Sequence, residues 1–72
     1  MSDVVKAVYD SYLAAAKHNE WEINYPISHI QLLLRMRFNE AESILIRMID
    51  GGLVVKVSEN TVSVIKIPDV TK

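Results

Sequence analysis

The chain has no cysteine, so disulfide bridges and thiolate metal sites are excluded from its 72 residues. Glycine occurs only as the pair Gly51-Gly52 and proline only as Pro26 and Pro68, too few for a low-complexity or extended linker. There is one Trp and one Phe. No uninterrupted apolar run approaches the roughly 20 residues that span a bilayer. Asp3 and Lys6 interrupt the apolar N-terminus and no lipidation motif is present, so the expectation is a cytoplasmic protein with no membrane partner. A surplus of positive charge is missing too. Eight Lys and Arg against nine Asp and Glu give a formal net charge of -1, which counts against simple binding to phosphate backbones unless the cations cluster.

Half of the residues are apolar, enough for one small domain over residues 1-72. From Val4 to Ala16, Val5, Val8, Tyr9, Tyr12, Leu13 and Ala16 recur at spacings of three and four, which predicts an amphipathic helix. Trp21, Ile23 and Tyr25 alternate with Glu20, Glu22 and Asn24, the period of a half-buried strand, up to Pro26. Ser28 with Gln31, and Asn39 with Glu42, have the spacing of capping boxes. They predict a helix from Ser28 to about Met36, with Ile30, Leu33 and Leu34 inward, and a second helix after Asn39. In the latter, Ala41, Ile44, Leu45, Met48 and Ile49 form a core stripe that Gly51-Gly52 ends. Two β-branched runs, Leu53 to Val57 and Thr61 to Ile67, flank Ser58, Glu59 and Asn60 as a hairpin. Pro68 stops the hairpin, and residues 68-72 read as a loose tail. Helix, short strand, helix, turn, helix, hairpin is the order of an α+β winged helix-turn-helix: three helices with a small two- or three-stranded antiparallel sheet.

Ser28, Gln31, Arg35, Asn39, Ala41, Ile44, Gly52 and Val54, with Phe38, Met48 and Leu53 at Tyr-, Leu- and Ile-favouring positions, form a pattern without a gap from Ile27 to Val54. It resembles the DNA-binding gamma domain of the FtsK and SpoIIIE chromosome translocases, and Asp3 to Tyr12 looks like that domain's first helix. The resemblance implies a winged helix that places its third helix in the major groove of double-stranded DNA. Most matches are capping, turn and core residues. Leu32, Leu33, Glu40, Glu42 and Ser43 stand where that family tends to carry Arg or Lys.

Candidate DNA contacts are therefore Arg35 and Arg37 around the turn, Asn39, Ser43 and Arg47 on helix three, and Lys56 near a wing at residues 58-61. The alternative is a protein-interaction winged helix, an adaptor or inhibitor that has lost the basic face. Leu32-Leu33-Leu34 and Ile44-Leu45-Ile46 cannot all face one core at about 100° per residue. Leu32 and Ile46 are the expected exposed members, an apolar surface for a protein partner or a homodimer. His18 and His29 lack paired zinc spacing, Ser28 has no base beside it, and Glu20 and Glu22 lie without a pocket. No catalytic residue, metal or cofactor is expected.

Overall fold

Val5, Val8, Tyr9, Tyr12 and Ala16 are the buried stripe of α1, which spans Asp3–Ala16. The computed structural model describes residues 3–66; the expected tail at 68-72 lies outside them. After α1 come β1 (Glu22–Asn24), α2 (Pro26–Leu34), α3 (Phe38–Asp50), β2 (Val54–Ser58) and β3 (Thr61–Val64). The strands form one antiparallel sheet in the order β1-β3-β2. Three helices and a three-stranded antiparallel sheet give an α+β layout compatible with a winged helix. One core joins the α1 stripe to Ile30 of α2, to Ala41, Ile44, Leu45 and Met48 of α3, and to Ile23, Leu53, Val54, Val62 and Val64.

Both helix starts differ from the predicted caps. Ser28 is the third residue of α2; the helix begins at Pro26, and Tyr25 before it takes left-handed angles (φ 54, ψ 59). A proline suits the first helical position, because its φ is already set and its missing N–H would have no partner there. Asn39 is likewise inside α3. That helix starts at Phe38, after Arg37 in an extended conformation. The Glu40 carboxylate accepts from the Arg37 backbone N–H at 3.2 Å. This is one half of a capping box, since a guanidinium has no acceptor to complete the other.

The helix ends show complementary solutions. α2 stops at Leu34, two residues before the expected Met36, because Arg35 turns left-handed (φ 52) and donates its N–H to Gln31 O. α3 ends as predicted at the glycine pair. Gly52 has φ 76, its N–H donates to Ile49 O at 3.1 Å, and that of Leu53 donates to Met48 O at 2.9 Å. Those two bonds are a Schellman motif, and Gly52 holds the position whose positive φ disfavours a residue with a Cβ.

β1 is shorter than the alternating run because Trp21 and Tyr25 both have positive φ. The β2–β3 turn is Glu59-Asn60, with a register shift between Lys56 and Ser58. A two-residue hairpin turn normally requires positive φ. Neither Glu59 nor Asn60 has it, and a register irregularity, the kind of feature that increases local twist, sits beside them. β3 ends at Val64, before the expected Ile67, whose residue is outside those described.

A candidate protein-docking groove between α3 and the hairpin

Two hydrogen bonds hold the hairpin turn against the start of α2. The Tyr25 N–H donates to Asn60 O at 2.6 Å, and Thr61 Oγ1 donates to Asn24 Oδ1 at 2.9 Å. The expected wing at residues 58-61 is thereby folded onto the base of α2. Between this turn and α3 lies a groove of about 400 Å³. Its walls are Tyr25 to Ser28 of the α2 start, Phe38, Glu42, Leu45, Ile46 and Ile49 of α3, and Lys56 with Ser58 to Val62 of the hairpin.

Helical spacing sorts the residues of α3. Positions 38, 42, 45, 46 and 49 turn toward the hairpin, whereas Asn39, Ser43, Arg47 and Asp50 run along the adjoining outward face. Of the expected DNA contacts, Lys56 alone lines the groove. Arg35 sits in the left-handed cap of α2, and Arg37 precedes α3. Asn39 and Ser43 are exposed, and the Ser43 hydroxyl donates to Asn39 O at 3.0 Å. Arg47 is exposed about 15 Å along the helix from Arg37. Lys6–Asp10 is the one ion pair among the described residues, so none of these four cations is neutralised there by a carboxylate within contact.

The apolar expectation divides similarly. Leu32 is 82 % exposed and Ile46 50 %, as their places in the triple runs required, but only Ile46 lines the groove. Leu33, expected to face inward, is 43 % exposed. The short α2 presents Pro26 and Ile30 to the core instead. Phe38, Tyr25, Glu42 and Glu59 were not among the contact residues expected from sequence, yet they shape the groove. The spacing Phe38, Glu42, Ile46, Ile49 was the available signal; assigning Phe38 to the turn and Asn39 to the cap concealed it.

Charge at the groove is acidic on balance. Glu42 and Glu59 line it against one cation, Lys56, and its remaining walls are mostly apolar. α3 as a whole carries Glu40, Glu42 and Asp50 against Arg47.

Elsewhere, Ser11 Oγ and His29 Nε2 lie 2.9 Å apart, joining α1 to α2. The Tyr12 ring meets His29 edge-on, with centroids 5.0 Å apart. Burial holds the His29 pKa below its ordinary value and pushes the Tyr12 phenol up. Among the described residues, no three His, Cys, Asp or Glu side chains are grouped to hold a metal, and no helix is long and apolar enough to cross a membrane.

No family model matches the chain, and no curated protein or solved structure gives a significant match.

Proposed function

We propose that this chain is a cytoplasmic protein-interaction winged helix whose working surface is the groove between α3 and the β2–β3 hairpin. One observation carries this function: where a DNA-binding winged helix offers cations, α3 and the hairpin offer Phe38 and Ile46 flanked by Glu42 and Glu59. A duplex carries one negative charge per about 1.7 Å of its axis, so carboxylates on that face repel it. A polypeptide with one or two large apolar side chains beside Lys or Arg complements both the apolar walls and the acidic rim.

The test compares a cationic amphipathic Leu/Lys helix, an anionic Leu/Glu helix and mixed-sequence duplex DNA, each fluorescently labelled, at low salt. Binding of the cationic helix, reduced at least about tenfold by Ile46→Lys, is expected. A salt-sensitive DNA shift without binding of the cationic helix would overturn the proposal.

Double-stranded DNA remains the second reading, because Arg35, Arg37 and Arg47 form no ion pair among the described residues. It accords with the translocase-like pattern. It requires that Arg47→Ala weaken duplex binding and reduce its salt dependence by about one counterion.

A further inference from the structure

Leu32 is the most exposed large apolar side chain among the described residues, and Leu33 beside it is also exposed. Arg35 and Arg37 follow, and neither guanidinium forms an ion pair among the described residues. The C-terminal end of α2 is thus an apolar knob with a cationic flank. The N-terminal end of the same helix, at Pro26 to Ser28, borders the groove, which presents Phe38 and Ile46 with Glu42 and Glu59. Knob and groove complement each other in apolar character and in sign of charge.

Leu32 also lies about one helical turn from the groove's edge at Ser28, four residues earlier on α2, a rise of about 6 Å. Leu32 does not line its own groove. If α2 of one molecule crosses α2 of another antiparallel, the knob of each lies over the groove of the other. The same contact is then made twice about a two-fold axis, a closed arrangement that cannot propagate into a filament.

We infer that the occupant of the groove is a second copy of this chain, with Leu32 of each protomer seated against Phe38 and Ile46 of its partner and Arg35 facing Glu42. This rests on the proposal that the groove binds polypeptide. It also gives Arg35 and Arg37 a role other than phosphate contact, and it covers the exposed α2 and α3 residues together.

Sedimentation velocity on the full chain, from micromolar to near-millimolar concentration, tests it. A reversible dimer is expected, weakened at least about tenfold by Leu32→Ser, by Arg35→Glu and by Glu42→Arg singly. The double variant Arg35→Glu/Glu42→Arg should recover to within about threefold of the wild type, because the pair is restored with its signs exchanged. Circular dichroism of each variant separates loss of association from loss of folding, and Leu32→Ser removes an exposed group. A wild type that stays monomeric, or a dimer indifferent to Leu32→Ser and to the charge exchange, would overturn the inference. A monomer that still binds the cationic helix probe sinks only the second-copy assignment. A monomer that binds neither sinks the docking function as well.

Discussion

Tyr12 is fully buried in α1 and donates its hydroxyl to Pro26 O at 2.7 Å, so a polar group in the core has its partner at the first residue of α2. Removing that hydroxyl leaves the carbonyl without this donor while conserving the ring. Tyr12→Phe should therefore lower stability by about 1 kcal/mol in urea denaturation, with little change in slope. His29, against the Tyr12 ring, makes stability depend on pH. Its folded pKa is held below the ordinary 6.5 by burial. The unfolded chain therefore takes up the proton first. The contribution of His29 is complete above about pH 6.5 and is lost as the pH falls from there toward the folded value. Urea midpoints at pH 7.5 and 5 should differ more for the wild type than for His29→Gln. An equal difference in both proteins would remove His29 as the cause.

At the scale of elements, the two ends of the helical pair invite opposite substitutions. Gly52→Ala forces a Cβ onto φ 76, and although no atom lies within 4 Å of it, the backbone conformation alone should cost about 1 kcal/mol of stability. Arg35 already bears the corresponding strain at φ 52. At a dilution where the chain is monomeric, Arg35→Gly should raise the thermal midpoint, by up to about 1 kcal/mol in stability. The contrast also shows which features were legible in sequence. α1 and α3 were, because long stripes at helical spacing and a glycine pair admit few alternatives. The hairpin was also legible, and so was the exposure of Leu32 and Ile46, since three consecutive apolar residues overfill one helix face. The starts of α2 and α3 were not. Ser28 and Asn39 satisfy the local capping pattern, but Pro26 is equally suited to begin a helix. Tyr25 and Arg35 adopt left-handed angles that their side chains do not advertise. The groove was hidden by the shift of the α3 cap from Asn39 to Arg37, because it places Phe38 inside α3 rather than in the turn.

For the whole molecule, the sign of charge around the groove decides which polymer it repels. Glu42→Arg/Glu59→Arg changes the rim by four charges. It should raise affinity for non-specific duplex DNA at low salt by at least about tenfold in an electrophoretic shift, an increase erased as salt is raised. No increase would mean that this face does not govern encounter with DNA. α1 contributes to the whole in another way. Tyr12 reaches Pro26 O, and three residues earlier Tyr9 donates to Ile65 O. These acceptors lie at the two ends of the segment holding the helical pair and the hairpin. One helix therefore adds two side-chain hydrogen bonds to the core and strand pairing that close this chain loop of about forty residues. Amide hydrogens in the middle of α1, in α3 and in β3 should accordingly exchange with solvent through one common opening, at a rate set by global unfolding rather than by local fraying.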